Sequence, residues 1–406
     1  MFKIYYYLSY FLIPAISINL LFRISKNKED RSRYKERIGK TDIDYEFRKK
    51  IIWLHAASVG EFKSCDLIIE KYYKNFQILV TTTTKTSAEY VKNYYSDKVI
   101  HQYIPFDVPI WCSRFLNFWN PCLVLWIESD IWPNMLNIIK SKKINCFYIN
   151  ARISPKSFKR WKYFKKMYSN SLLSFNKIFV QSQNDLKRIE LLSNLKAEYI
   201  GNLKLSNIHK KTYTQTSKKK FSIMIASSHQ NEEEIIINNI KEIITSKNLK
   251  ICLAPRHPER IPEICRMLIN YKLSYEIDSQ EKNFNKDITI VDGFGNLNSY
   301  FNNSEIVILG GSFVNKGGHN PIEPALYGCA VISGNIIYNW QNVYDDMLNQ
   351  EACLILDHID DLKLTIKNLM QNKSILEKFK KKALDFSKKK FFDNEILFKE
   401  INLVLN

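Results

Sequence analysis

The stretch IIWLHAASVGEFKSC, residues 51–65, ends an apolar run in small residues and places a carboxylate, Glu61, directly after Gly60. The apolar run predicts a buried strand and the following segment predicts a helix, so Glu61 stands at a strand-to-helix junction. A carboxylate there can cap the helix by accepting hydrogen bonds from its free N–H groups. It can equally act as a general base, because ligands of parallel sheets bind at the carboxyl ends of strands. These residues alone leave both roles open.

The largest group of candidate residues follows the apolar runs in the second half of the chain. Three of the seven histidines lie there, together with much of the glycine. The members of this group are Ser228, His229, Arg256, His257, Gly310, Gly311, Ser312, Gly318, His319, Asn320 and Glu323. Hydroxyl, imidazole and guanidinium groups beside glycine turns are typical of a site that binds a phosphorylated ligand.

The segment GGHNPIEPALYG, residues 317–328, is the most specific of these loops. Asn320 is a typical N-cap and Pro321 a typical first helical residue, which predicts a helix start whose free amides bind an anion. Glu323 could accept hydrogen bonds from ribose hydroxyls, and Arg256 could supply positive charge. The alternative is a capped structural turn. No GxGxxG follows the first strand and no GxxxxGK[ST] occurs, which argues against dinucleotide-dependent hydride transfer and P-loop chemistry.

In the first half, Glu128 follows the apolar run CLVLW, where it either caps the next helix or faces the ligand. Six basic residues interleave with aromatic residues between Lys156 and Lys166, a pattern typical of single-stranded nucleic acid binding, a membrane interface or a solvated helix. The HExxH motif is absent, and the eight cysteines form no CxxC pair, so we expect no metal site and reduced thiols in a cytoplasmic protein.

Short apolar runs alternate with amphipathic segments on both sides of a polar, basic stretch, residues 207–220. This alternation predicts an α/β protein with two parallel sheets, each covered by helices on both faces. We expect a domain over residues 41–206, a linker over 207–220 and a second domain over 221–406. The strands predicted in the first half are Ile51–His55, Gln77–Thr81, Val99–Ile104, Cys122–Trp126, Asn145–Ile149, Lys177–Val180 and Glu198–Ile200.

Nineteen uncharged residues, Ile4–Phe22, predict a membrane anchor over residues 1–40 that either spans the bilayer as one helix or lies in its interface. The segment Arg23–Lys40 follows with eight basic and three acidic residues, so the rest of the chain is expected on the cytoplasmic side. The net charge of +19 predicts a polyanionic partner, although the overall richness in Lys, Asn and Ile indicates that composition bias supplies part of it.

Eight motifs occur in order along nearly the whole chain: HAASVGE, TTTTKT, ESDIWPN, NARIS, GNLK, SSHQNEEE, APRHPER and GGSF…GGHNPIEPA. Together they closely resemble the Kdo (3-deoxy-D-manno-octulosonic acid) transferases of lipopolysaccharide synthesis. The resemblance implies a GT-B glycosyltransferase of two Rossmann-like domains. Such an enzyme moves Kdo from CMP-Kdo to the lipid A precursor lipid IVA at the cytoplasmic face of the inner membrane. It inverts the anomeric centre without a metal or other cofactor.

The resemblance also implies roles for individual residues. Glu61 falls on the proposed base and Glu128 on a second acid of less certain role. The family's donor site falls on seven members of the second-half group: Ser228, His229, Arg256, His257, Gly311, Asn320 and Glu323. We expect Ser58, Gly60, Arg152 and Lys204 to contact the acceptor or its phosphate or carboxylate groups. The expected partners are CMP-Kdo, lipid IVA and anionic lipids, with no nucleic acid and no obligate protein partner.

Ser228, Asn231, Gly293 and Asn296 depart from the residues usual in these motifs, and Lys156 replaces a usual arginine. These departures affect individual contacts and leave the proposed base in place. Two alternatives remain: a GT-B transferase with another sugar nucleotide, and an inert, membrane-anchored basic scaffold that binds anions.

Overall fold

The computed structural model describes residues 2–41, 49–128, 131–206, 221–247, 249–280, 286–293, 297–389 and 392–406. The chain forms two compact units, one of Met1–Asn207 with Lys390–Asn406 and the other of Ile208–Lys389. The predicted linker, residues 207–220, lies outside the described residues. The two units are called unit 1 and unit 2 below.

Unit 1 is built on a parallel sheet of seven strands in the order β3-β2-β1-β4-β5-β6-β7. All seven strands predicted from the first half are present, within two residues of the predicted bounds. They are β1 Ile51–His55, β2 Gln77–Thr82, β3 Val99–Tyr103, β4 Leu123–Ile127, β5 Asn145–Ala151, β6 Lys177–Val180 and β7 Glu198–Tyr199. The strand order reverses between β1 and β4, and such a switch point is where ligands of open parallel sheets bind.

Both faces of this sheet are buried, as its continuous apolar runs predict. Along β1, Ile52 and Leu54 point into one apolar cluster while Ile51 and Trp53 point into the other. Side chains of α3 to α10 pack into or against these two clusters. The helices of unit 1 before its last one are α1 Phe2–Phe11, α2 Ile13–Ser25, α3 Val59–Ser64, α4 Asp66–Tyr72, α5 Lys85–Tyr95, α6 Pro109–Trp119, α7 Pro133–Ser141, α8 Pro155–Tyr163, α9 Lys165–Leu172 and α10 Gln183–Ser193.

The N-terminal apolar segment forms two helices, not the single helix that we predicted for Ile4–Phe22. α1 and α2 meet at Leu12 with a bend of 57°. Pro14 explains the break, because it lacks the N–H that would continue the helix and its ring clashes with the carbonyl one turn earlier. Among the described residues no single helix is long and apolar enough to cross a membrane, whereas this bent pair passes the same test of length and composition.

The basic segment that follows is partly a structural element of unit 1. Arg37 is buried and pairs with the equally buried Glu29 at 3.1 Å. Its guanidinium also donates to the carbonyl of Thr83 at 2.5 Å and to that of Ile104 at 3.2 Å. The charge of Arg37 is therefore neutralised inside unit 1 by Glu29.

Unit 2 repeats the architecture with a second parallel sheet in the order β10-β11-β9-β8-β12-β13-β14. Its strands are β8 Phe221–Ser228, β9 Ile251–Pro255, β10 Tyr275–Ile277, β11 Ile288–Ile290, β12 Ser304–Leu309, β13 Ala330–Gly334 and β14 Leu354–Leu356. Its helices are α11 Glu232–Lys247, α12 Ile261–Asn270, α13 Asn298–Asn302, α14 Ile322–Leu326, α15 Gln341–Asn349, α16 Asp361–Gln371 and α17 Lys373–Ser387. Here the order reverses between β8 and β12.

The last helix, α18 Asn394–Leu405, belongs to unit 1, so the predicted second domain over residues 221–406 is too long at its end. Leu397, Phe398 and Ile401 pack into the same apolar cluster as β1. The Tyr72 hydroxyl also donates to Asn402 Oδ1 at 2.8 Å. Burial of three large apolar side chains contributes roughly 1.5–3 kcal/mol each. The local sequence does not indicate this packing, because Tyr72 and Asn402 are 330 residues apart along the chain.

Candidate active site

Glu61 lies in the first turn of α3, directly beyond the carboxyl end of β1. Its Oε2 accepts a hydrogen bond from the backbone N–H of Ala57 at 2.7 Å, and its own N–H donates to Ser58 Oγ at 3.3 Å. This reciprocal arrangement closely resembles a capping box. The side chain is only 8% exposed. The capping contact fixes the carboxylate at the sheet edge, and an N–H donor stabilises the ionised form that a general base needs. Capping of the helix and action as a general base, the two roles left open by the sequence, are therefore compatible for Glu61.

The threonine-rich motif at the end of β2 contacts β1 and the segment between β1 and α3, the helix that carries Glu61. The Thr83 hydroxyl donates to the carbonyl of Ala57 at 2.7 Å. Thr81 Oγ1 lies 2.9 Å from His55 Nδ1 and accepts from Trp53 Nε1 at 2.8 Å. Burial lowers the pKa of His55 to about 3, so this imidazole is neutral and acts as a packing and hydrogen-bonding group.

Glu128 terminates β4 with a left-handed backbone, φ +63°, which is uncommon for a residue other than glycine. Its carboxylate is nearly buried and forms an ion pair with Lys204 Nζ at 2.6 Å. Asn150 Nδ2 donates to the same oxygen at 3.3 Å. A strained backbone that carries a buried charge is characteristic of functional sites. Asp130, the other acid of this motif, lies outside the described residues.

Asn150 is a site residue that we quoted within a motif but did not select from the sequence. It is fully buried with φ +55° near the end of β5. Its Oδ1 accepts from the N–H of Leu203 at 2.9 Å, and its Nδ2 also lies 3.3 Å from Gln181 Oε1. Asn150 thereby joins Glu128 to the short 3₁₀ helix Leu203–Leu205, which supplies Lys204. Asn150 could have been selected from the sequence, because an asparagine at the end of a strand often adopts a left-handed backbone conformation.

Glu61 and Glu128 follow β1 and β4, two neighbouring parallel strands at the switch point of unit 1. Burial raises the pKa of the Cys65 thiol, with further contributions from Glu61 and Glu128, so both carboxylates lie near this thiol. The structure thus brings together Ser58, Glu61, Glu128 and Lys204 on one edge of one sheet. Gly60 is exposed beside them, and Arg152 is half-buried just beyond β5.

In unit 2, the predicted donor residues lie at the ends of β8, β9 and β12, around the second switch point. His229 Nε2 lies 3.1 Å from His319 Nε2, with the two rings nearly parallel. The ring of His257 lies 5.9 Å from that of His229. Burial lowers the pKa of both His229 and His319 to about 4, with further contributions from Lys316 at His229 and from Arg256 at both. At neutral pH the pair is therefore uncharged and shares one N–H···N hydrogen bond.

The positive charges beside this pair are Arg256, which we predicted, and Lys316, which we missed. Both side chains are exposed, and among the described residues neither forms an ion pair. Lys316 lies in the same loop as Gly311, and its Cβ would lie 3.3 Å from a Cβ added at that glycine. In sequence, Lys316 was indistinguishable from the many other lysines of this chain.

The glycines of this site allow close backbone approach. A Cβ at Gly310 would lie 2.4 Å from the carbonyl oxygen of Ser227, so the ends of β8 and β12 could not come together. Gly311 and Gly318 have left-handed backbones, with φ of +70° and +72°. The hydroxyl of Ser312 donates to the carbonyl of Leu309 at 2.6 Å and accepts from the N–H of Gly334 at 2.8 Å, so Ser312 acts within the loop itself.

The helix predicted from Asn320 begins one residue later than expected and has a single turn, α14. Asn320 Oδ1 accepts from the N–H of Ile322 at 3.0 Å, which occupies one of the amides expected to bind an anion. Asn320 Nδ2 donates to the exposed Glu323 at 3.3 Å. Because one turn carries little dipole, basic side chains have to supply most of the attraction for a phosphate at this place.

No group of three or more His, Cys, Asp or Glu in the described part of the chain could hold a metal ion.

Solved structures similar to this chain show the type of fold. A glycosyltransferase from Rickettsia africae has a TM-score of 0.57 at 14% identity, over 88% of this chain and 98% of that one. MurG from Acinetobacter baumannii has a TM-score of 0.56 at 9% identity, over 88% of this chain and 99% of that one. With two parallel Rossmann-like sheets and candidate sites at both switch points, the chain has the GT-B fold.

The sequence comparisons show the family. The family model described as 3-deoxy-D-manno-octulosonic-acid transferase (kdotransferase) matches residues 32–207. A 3-deoxy-D-manno-octulosonic acid transferase from Rickettsia bellii is 33% identical over 405 residues, which cover 95% of each chain. The chain therefore belongs to the Kdo transferase family, as its eight motifs predicted.

Proposed function

We propose that this chain transfers Kdo from CMP-Kdo to lipid IVA, with inversion at the anomeric carbon and with Glu61 as general base. Family membership supports the transfer of Kdo. The observation that carries the choice of base is the contact between Glu61 Oε2 and the N–H of Ala57 at 2.7 Å. It holds a largely buried carboxylate at the switch point of unit 1, where an acceptor hydroxyl would bind.

The proposed reaction is a single displacement. Glu61 takes the proton from the acceptor hydroxyl, whose oxygen forms a bond to the anomeric carbon of Kdo. The bond from that carbon to the phosphate oxygen breaks, and its electron pair leaves with CMP. Arg256 and Lys316 would stabilise the departing phosphate in place of a metal ion, since both are exposed beside the His229–His319 pair.

Glu128 and Lys204 are proposed to shape the acceptor side of the site. Their ion pair leaves Lys204 partly exposed, with 29% of its side-chain surface accessible, while Glu128 stays nearly buried. Such an ammonium group can contact a phosphate or carboxylate of a substrate while Glu128 fixes its position. Arg152, half-buried beyond the neighbouring strand, would add a second cation.

A lipid acceptor accounts for the exposed apolar surface of α1 and α2. Large side chains on these helices are far more exposed than is usual for their type: Ile4 68%, Tyr7 69%, Phe11 81%, Ile18 68% and Leu21 64%. Exposed apolar patches of this kind mark interaction sites for membranes or partners. We propose that the bent pair rests in the interface of the inner membrane on its cytoplasmic face. The exposed Tyr163 and Phe164, among the basic residues of α8 and α9, would add a second contact with anionic lipid.

The test is incubation of the purified full chain in detergent micelles with CMP-Kdo and lipid IVA, followed by mass spectrometry of the lipid. The expected product is heavier by one Kdo unit or by a multiple of it, and the same amount should form with a chelator present. Absence of any product with the intact chain would refute the proposal. Transfer from another sugar nucleotide, but not from CMP-Kdo, would instead favour a different GT-B transferase.

A further inference from the structure

Glu232, the first residue of α11, is a buried carboxylate that we did not select from the sequence, where it stands among three consecutive acids. It has no exposed surface, and its two oxygens accept four backbone hydrogen bonds. Oε2 accepts from the N–H of His229 at 3.0 Å and from that of Gly311 at 2.7 Å. Oε1 accepts from the N–H of Ser312 at 3.1 Å and from that of Phe313 at 3.0 Å.

These four bonds join the two loops that carry the predicted donor site. His229 follows β8, whereas Gly311, Ser312 and Phe313 follow β12, and the two strands are parallel neighbours at the switch point of unit 2. Only an ionised carboxylate offers acceptor sites on both oxygens for four N–H groups. A glutamine would turn its NH₂ toward two of these donors and lose their hydrogen bonds.

The same contacts determine which groups of this loop a phosphate can use. Three successive amides after a glycine turn form the kind of concavity that binds anions in many proteins. Here the carboxylate of Glu232 already fills it. The side chains that remain for a ligand at these loops are the His229–His319 pair, the cations Arg256 and Lys316, and Ser228. The Oγ of Ser228 is buried and has no hydrogen-bond partner among the described residues.

We propose that Glu232 is a positioning residue of the donor site, an inference that rests on the proposed function. It occupies the amides of the Gly311–Phe313 turn and thereby fixes His229 relative to that turn. The phosphate of the donor is then contacted by side chains and not by the loop amides. Glu232 itself does not touch the donor.

The first experiment compares Glu232→Gln with Glu234→Gln in the full chain. Glu234 stands in the same helical turn and undergoes the same change of charge, but it is exposed. Loss of the loop contacts in Glu232→Gln should weaken CMP binding, measured by calorimetry, by about 10-fold to 100-fold. The KM for CMP-Kdo should rise correspondingly while the KM for lipid IVA stays unchanged. Glu234→Gln should behave as the unaltered chain in both respects.

A second measurement needs no variant and therefore does not depend on how well Glu232→Gln folds. In the unaltered chain without nucleotide, hydrogen exchange followed by mass spectrometry should show slow exchange at the amides of Gly311, Ser312 and Phe313. Addition of CMP should leave this protection nearly unchanged, because the amides stay on Glu232. Exchange at the rate of a free loop, or strong new protection upon CMP binding, would overturn the inference.

These outcomes separate this inference from the proposed function. If the unaltered chain binds CMP and Glu232→Gln binds it equally well with an unchanged unfolding midpoint, only the positioning role is refuted. An equal rise in the KM for both substrates would also refute it, because that pattern indicates general damage to the fold. If the unaltered chain does not bind CMP at all, the proposed donor and the positioning role fail together.

Discussion

The ammonium group of Lys204 lies 2.6 Å from Oε1 of Glu128 and joins the 3₁₀ helix Leu203–Leu205 to the end of β4. Glu128 holds a left-handed backbone conformation at this point. The ion pair therefore combines a partly exposed cation with a nearly buried anion on a strained segment.

Replacement of Lys204 by methionine should strongly reduce turnover and lower the free energy of unfolding by about 1–3 kcal/mol, because Glu128 would be left without its charged partner. The matched control is Lys177→Met, which removes a more exposed ion pair with Glu400 and should cost less than about 1 kcal/mol. Denaturant unfolding and initial rates measure both effects. Equal behaviour of the two variants would contradict a special role for the Glu128–Lys204 pair.

Glu61→Gln should nearly abolish turnover, because the amide cannot take a proton from the acceptor hydroxyl. CMP binding should be unchanged, since the predicted donor residues belong to unit 2. Rates with CMP-Kdo and calorimetry with CMP test the two statements separately. If turnover remains within about tenfold of the unaltered chain, Glu61 is not the base.

Gly60→Ala separates the structural and functional roles of a small residue next to the base. The added Cβ would lie 3.9 Å from Ser58 Oγ, and Gly60 does not have a left-handed backbone, so the fold accepts it. Inside α3 the change should raise the free energy of unfolding by about 0.4–1 kcal/mol. If Gly60 leaves room for the acceptor, the KM for lipid IVA rises while that for CMP-Kdo does not. A more stable variant with unchanged KM values would exclude the predicted contact.

Acidification should destabilise unit 1 through its buried histidines. Burial lowers the pKa of both His55 and His101 to about 3, with Arg33 and Arg37 contributing at His101. Between pH 6.5 and about 3 the unfolded chain therefore binds protons that the folded chain does not, and stability falls as the pH falls through this window.

The measurement is the urea midpoint between pH 7 and 5, followed by tryptophan fluorescence, which reports mainly on unit 1 because six of the seven tryptophans lie there. His101→Gln keeps an acceptor for Arg33, whose Nη2 lies 3.0 Å from His101 Nδ1, and it should make the pH dependence less steep. An unchanged slope in that variant would show that His101 does not contribute.

The local sequence determined the strands, the family and the residues of the two switch points. A strand that is buried on both faces of a parallel sheet needs apolar side chains at successive positions. The run Ile51–His55 shows this pattern within five consecutive residues, so the strand could be predicted from the sequence. The positions of Glu61, Glu128, His229 and Gly311 follow from the same rule, because each comes after a strand. The capping contact of Glu61 could also be predicted, because Ser58 precedes Glu61 by three residues.

Tertiary structure decided what depends on partners distant in the chain. Glu232 and Gly311 are 79 residues apart, and the sequence gives no reason to single out this acid among its neighbours. The same holds for Asn150, which meets Leu203 across 53 residues, and for α18, which returns to unit 1 from the far end of the chain. A buried charge or apolar face is stabilised only if a suitable partner packs against it. When that partner is distant in the chain, the local sequence does not show which residue it is.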